Sequence, residues 1–155
     1  MTLRKVTRTI ITILIAIVLM QTLAHAESCE QVVHAANIRL SPRIDEQELV
    51  KVLRSLNNSN NKDLPPAFVT KKEAKSQGWK PGKDLRSVSA LKNSSIGGDR
   101  FNNREARLPK NKWREADLDY KGGHRGSKRL IFSKDGSRFV TVDHYRTFVE
   151  VSACQ

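Results

Sequence analysis

Few side chains in this sequence are equipped for acid–base chemistry, which narrows the search. Beyond residue 26, histidine occurs at His34, His124 and His144. His144 follows Asp143 at the end of an apolar segment, a rim position, and His124 sits in the turn Gly122-Gly123-His124-Arg125-Gly126. His34 reads as a surface or packing residue. Among the carboxylates Glu115 differs slightly. In Lys112 to Tyr120, alternation puts Arg114, Ala116, Leu118 and Tyr120 on one face and Trp113, Glu115, Asp117 and Asp119 on the other. A carboxylate there is either solvated on an open sheet or held against cations, and Arg125 and Arg129 lie close in sequence. Periodicity alone favours the solvated face, and each histidine taken alone is ordinarily structural.

Cleavage of an RNA phosphodiester uses the whole set. A base takes the 2′-hydroxyl proton, an acid protonates the departing 5′-oxygen, and cations hold the charge that builds on the phosphate. One Glu, one His and a few Arg or Lys suffice. The 2′-hydroxyl is the nucleophile, so DNA is excluded by mechanism and no metal-bound water is required. The sequence has no Gly-rich phosphate loop ahead of a helix, no Cys-x-x-Cys and no His-x-x-x-His. Neither metal nor other cofactor is expected.

The elements that must position these groups are bounded by size. A chain of 155 residues with 38% hydrophobic content has room for one domain and a modest core. That excludes a dinucleotide fold with its substrate domain and a barrel of eight strand–helix units. No apolar run reaches the roughly 18 residues of a spanning helix. With 28 Lys and Arg against 16 Asp and Glu, the formal charge is +12. Such a surface meets polyanions: nucleic acid, acidic glycan or anionic membrane. Charge does not choose among them, and a merely solubilising surface is the plain alternative.

Residues 1–26 are expected to be a signal peptide. Arg4, Lys5 and Arg8 precede the run Ile10 to Met20, apolar apart from Thr12, and Ala24-His25-Ala26 supplies a small-x-small cleavage site. The run is short for an uncleaved anchor. That segment holds three of the basic residues and no acidic ones, so cleavage takes +12 to +9. The expected location is extracellular or periplasmic, with no membrane association after cleavage. In an oxidising compartment Cys29 and Cys154 most simply pair as one disulfide tying the termini. An intermolecular bridge or two free thiols are the alternatives.

Residues 27–43 are read as an N-terminal extension and 44–155 as a single domain. Asp45 with Glu48 resembles a capping box, and Leu49, Val52, Leu53 and Leu56 predict a helix over 45–56. Thr70 with Glu73 starts a second short helix that Gly78 stops, and Lys83 to Val88 is a candidate third. From Ser95 the pattern turns to strands. Arg129 to Ser133 and Arg138 to Val142 flank Asp135-Gly136, a hairpin signal, and Thr147 to Val151 supplies a last strand. The expected class is α+β: N-terminal short helices packed on a C-terminal antiparallel sheet of about five strands, its other face open.

Over some 85 residues, from Leu64 to about Val149, the chain resembles the secreted guanyl-preferring microbial ribonucleases of the barnase and binase type. The resemblance rests on Val69-Thr70-Lys71, Glu73-Ala74, Gly78-Trp79, Ser95-Ile96-Gly97-Gly98-Asp99, Phe101 and Asn103-Arg104-Glu105 with Leu108-Pro109. It continues through Trp113-Arg114-Glu115-Ala116-Asp117, Tyr120, Arg125, Arg129, Asp143-His144-Tyr145 and Thr147-Phe148, in family order. It implies Glu115 as general base and His144 as general acid. Lys71, Arg125 and Arg129 would bind the scissile phosphate, Tyr145 would frame the site, and Asn103, Arg104 and Glu105 would recognise guanine. A carboxylate can accept N1–H and N2–H₂ of guanine together, which adenine cannot satisfy. The substrate implied is single-stranded RNA, cut by a monomer to a 2′,3′-cyclic phosphate and then a 3′-phosphate. A small acidic inhibitor of the barstar kind is the implied protein partner.

Three departures stand out. Asn102 replaces the family's usual Ser and His124 its usual aromatic, and the segment after Pro109 is shorter. The alternative reading is a secreted, non-catalytic protein that binds RNA or another polyanion on the same scaffold.

Overall fold

The computed structural model describes residues 27–155, and the expected signal peptide lies outside them. Helix α1 (Cys29–Asn37) starts at Ser28, whose hydroxyl accepts from the Gln31 N–H while the Gln31 side chain returns to the Ser28 N–H. The segment read as an extension is thus folded. Its Val32, Val33 and Ala36 are buried in the same cluster as Leu49, Val52, Leu53 and Leu56 of helix α2 (Glu46–Asn58). The Cys29–Cys154 disulfide forms across a sequence separation of 125 residues.

The capping box at α2 is only half made. Asp45 accepts from the Glu48 N–H at 3.1 Å, but the Glu48 carboxylate turns away to accept from the Asp119 N–H at 3.0 Å. Asp119 in turn accepts from the Asp45 N–H at 2.9 Å. The reciprocal bond is exchanged for one that ties the helix start to the sheet. Helix α3 (Lys71–Ser76) keeps the complete box between Thr70 and Glu73. The expected third helix is instead two 3₁₀ turns, Leu85–Ser87 and Ser89–Leu91. There the Tyr120 hydroxyl accepts from the Leu85 N–H and donates to Asp84, holding the first turn against the sheet.

The sheet has six strands rather than about five, in sequential order. They are β1 (Phe68–Val69), β2 (Ser95–Arg100), β3 (Arg114–Asp117), β4 (Arg129–Phe132), β5 (Arg138–Thr141) and β6 (Val149–Glu150). The extra one, β1, pairs parallel with β2, and every other pairing is antiparallel. Two residues are too short for a periodic signal. Gly97 makes that pairing possible: a Cβ there would lie 2.6 Å from the Phe68 ring. Asp135-Gly136 turns β4 into β5 as expected, with Gly136 at φ +93°.

Ala116, Leu118, Leu130, Phe132, Val140 and Val142 face α1 and α2 in the main core. The other face is not open. Trp113 and Ile131 are buried there with Leu108, and Phe101, Phe139, Tyr145 and Phe148 pack on them. The strand predicted over Lys112 to Tyr120 is regular only from Arg114 to Asp117, because Asp119 adopts φ +57° and swings to the α2 side.

Candidate active site

The alternation of β3 delivers two carboxylates, Glu115 and Asp117, to the loop-covered face, where each meets different cations. Asp117 is paired in register with Arg129 on β4. Its oxygens accept from Arg125 Nε and a terminal nitrogen of the same guanidinium, both at 2.6 Å. Arg129 Nε lies 2.9 Å from Asp117 Oδ1, an ion-pair contact without hydrogen-bond alignment. Asp117 is 1% exposed, so this carboxylate is saturated and its two guanidiniums leave a net positive charge. Burial works against the charged form of Arg125, but the bonds and negative charge of Asp117 prevail and its pKa is raised.

Glu115 is different. It is 6% exposed, held between Lys71 Nζ at 2.7 Å and the Tyr145 hydroxyl at 2.7 Å. The solvated-face reading is therefore overturned. Burial raises its pKa, yet the bonds from Lys71 and Tyr145 and the charges of Lys71 and Arg129 outweigh that, leaving it below the ordinary carboxyl value. Tyr145 is pushed up to about 12 by burial and by the adjacent Glu115 charge. An ionised carboxylate facing cations that also suit a phosphate is a group able to accept a proton.

Local structure explains the aim of each group. Lys71 opens α3, and its backbone N–H is fixed by Asp99 at 2.9 Å. Tyr145 and His144 sit at φ +66° and +55°, inside a turn organised by Asp143. Asp143 accepts from Thr141 Oγ1 and from the Arg146 and Thr147 N–H groups. Burial opposes its charge, but these bonds bring its pKa down to about 2. His144 is exposed on that turn, its ring centroid 6.2 Å from the Tyr145 ring. Phe101 stacks on Tyr145 with centroids 5.0 Å apart.

A cavity of about 310 Å³ opens over Glu115, Lys71 and Tyr145 and is bounded by Asn102, Asn103, Arg104 and Glu105. Asn103, at φ +44°, spends its amide on the loop itself: it donates to the Leu108 carbonyl at 2.7 Å and accepts from the Leu108 N–H. Glu105 is exposed and paired to Arg107 at 2.6 Å, while Arg107 also reaches the Arg146 carbonyl at 2.6 Å. Arg104 lines the cavity from the exposed side. A second cavity, of about 320 Å³, shares Lys71 with the first and contains Lys75, Trp79, Lys83, His124 and Arg125. His34, by contrast, is a surface residue 3.1 Å from Glu46.

Of the residues predicted from sequence, Glu115, Lys71, Tyr145, Asn103, Arg104 and Glu105 line one cavity, and Arg125 adjoins it. Arg129 is 4% exposed and lies beneath, bracing Asp117. Sequence reasoning missed Asp117, Asp99, Asp143 and Arg107 as organisers of the site. Asp117 had a readable signal, since it shares the face of Glu115 two residues on. The pairing of Arg107 with the turn at Arg146 had none. Among the described residues no group of three or more His, Cys, Asp or Glu is gathered to hold a metal ion. No described helix is long and apolar enough to cross a membrane.

Comparison with known proteins finds ribonucleases. A family model described as ribonuclease matches residues 53–152. The chain is 45% identical over 94 residues to a ribonuclease of Heyndrickxia coagulans, covering 58% of this chain and 84% of that one. It is equally similar to ribonucleases of Bacillus intermedius and Bacillus pumilus, where the match spans 57% of their length. Among solved structures it is similar to ribonuclease Sa2 with guanosine-2′-cyclophosphate. That match has 26% identity and a TM-score of 0.32, covering 56% of this chain and 95% of that one.

Proposed function

This chain belongs to the ribonuclease family, and from that premise we propose that it is an exported, guanyl-preferring endoribonuclease acting on single-stranded RNA without a metal. The observation that carries the reading is the buried Glu115 carboxylate, clasped by Lys71 and Tyr145 under the cavity that Asn103 to Glu105 close. In the first step Glu115 takes the proton of the guanosine 2′-hydroxyl as its oxygen bonds to phosphorus. The bond to the 5′-oxygen breaks, and His144 protonates that oxygen. Lys71, Arg125 and Arg129 bear the charge gained by the phosphate. In the second step water adds to the 2′,3′-cyclic phosphate with the two roles reversed, giving a 3′-phosphate.

Guanine preference follows from Glu105. Its carboxylate is exposed and engaged by one arginine, so it can share its oxygens with N1–H and N2–H₂ of the base. Export accords with the basic, apolar and small-residue order of residues 1–26 and with the Cys29–Cys154 disulfide, a bond of oxidising compartments. A small acidic inhibitor would oppose the same cations, and the enzyme would act as a monomer.

The test is product analysis on GpU and ApU with EDTA present. The expected product is guanosine 2′,3′-cyclic phosphate, well ahead of the adenosine counterpart, with both steps lost in His144→Ala. Equal rates on the two dinucleotides would remove the guanine preference. Intact dinucleotides beside bound RNA would remove the catalytic reading.

A further inference from the structure

A groove of about 860 Å³ lies outside the catalytic cavity, at the end of β2 and β3, and Arg100 lines both. Its rim carries Arg100, Lys110, Lys112 and Lys134, all exposed. Among the described residues none of these four side chains enters an ion pair. The floor is Trp113, 2% exposed, together with Arg114. Arg114 is already committed, donating to the carbonyls of Gly98 and Lys62 and lying over the Phe132 ring. Asp135, the one carboxylate on the lining, forms no ion pair with the rim, and one negative charge against five Arg and Lys leaves the lining strongly positive. Its oxygens accept from the Asn111 amide, the Ser133 hydroxyl and the Ser137 N–H.

Four cations without ion-pair partners around one recess, faced by a single carboxylate, repel each other in the folded protein, and a polyanion relieves that repulsion. Among the described residues the exposed large hydrophobic side chain is Ile38, on the α1 side of the molecule, so the groove offers a lipid surface nothing to insert. The recesses follow in the order groove, catalytic cavity, and the cavity of His124 and Arg125, the first two sharing Arg100 and the last two sharing Lys71. The cations suited to the scissile phosphate lie at the far end of that order from the groove.

We propose that this groove binds the phosphodiester backbone of the substrate strand on the 5′ side of the cleaved guanosine, as a second RNA site used only by long substrates. The proposal rests on the ribonuclease reading above, because the direction of the strand is set by where guanosine and its 3′-phosphate sit. Nucleotides 3′ to the cut leave through the cavity of His124 and do not touch the groove.

The experiment compares the wild-type protein with the triple variant Lys110→Gln, Lys112→Gln, Lys134→Gln on three substrates. These are GpU, GpU preceded by six uridines, and GpU followed by six uridines. The expected result is unchanged kcat/KM on GpU and on the 3′-extended strand, with about a tenfold loss at low salt on the 5′-extended strand. The slope of log kcat/KM against log salt on that substrate should shrink by about 2, as three fewer phosphate contacts release fewer counterions. An undiminished 5′-extended rate overturns the proposal, and so does an equal loss on all three substrates. Should wild-type protein leave GpU intact, the ribonuclease reading fails by itself. Fluorescence anisotropy of the labelled 5′-extended strand then decides the groove: weaker binding by the variant supports it, and equal binding overturns it.

Discussion

The two faces of the sheet are built from the same strands yet obey different economies of interaction. On the helix side, Ala116, Leu118, Leu130 and Phe132 are buried against α1 and α2, and any apolar side chain of the right volume would serve. On the loop side, Glu115, Asp117 and Arg129 are just as buried, but each depends on a particular charged partner. Neighbouring positions on β3 therefore differ in what their loss removes. A change at 116 or 118 acts on cohesion, and one at 115 or 117 acts on the field inside the site. Burial alone does not separate the two faces; the partners do.

The largest effect should come from Glu115→Ala. Transesterification of GpU should fall about 10²–10⁴-fold, the usual contribution of a positioned general base, while the protein stays folded. Activity within a factor of a few of wild type would mean that the buried carboxylate is structural, and the contrast between the faces would collapse. Asp117→Asn comes next, because it leaves Arg125 and Arg129 without their shared counter-charge. A stability loss of about 3–5 kcal/mol is expected in urea titration, together with weaker turnover.

On the opposite face Leu130→Ala should cost about 2–5 kcal/mol by the same titration. The kcat of the folded fraction should be unchanged. A drop in kcat comparable to that of Asp117→Asn would show that the sheet transmits a cavity beneath it into the site, and the division of labour would be lost. The smallest and sharpest effect is Tyr145→Phe. Glu115 sits below its ordinary pKa, so its ionised form favours the fold above the unfolded value and loses that advantage as pH falls through the folded one. Removing one bond to the carboxylate raises the folded pKa, so the acid limb of the kcat/KM profile should move to higher pH. A limb that stays in place would assign it to another group.

Much of this arrangement was readable from local pattern. Alternation through Trp113–Asp117 separated the two faces of β3, Thr70 with Glu73 marked the start of the helix that carries Lys71, and Asp135-Gly136 marked a hairpin. What escaped was the outcome of competition between local and distant partners. Glu48 had a partner three residues away and took Asp119, seventy-one residues on. Arg107 joined its loop to the turn at Arg146, and a two-residue strand found a parallel neighbour only because Gly97 left room for Phe68. The segment 27–43 reads as an extension of the domain, yet Val32, Val33 and Ala36 complete the core.

By itself the sequence determined the inventory and its first sorting. The chain has few acid–base groups, an excess of cations, and a strand whose odd-numbered carboxylates lie opposite its apolar residues. Side-chain alternation is a local property with a period of two, so it needs no knowledge of the rest of the molecule. Tertiary structure gave Glu115 and Asp117, which alternation puts on one face, different surroundings. One carboxylate was given an ammonium and a phenol, and the other was saturated by two guanidiniums. Proton affinity depends on charges and dipoles within a few ångströms through space. Here those come from α3, from the loop before β4, from β4 itself and from the turn at Asp143, brought together only when the chain folds.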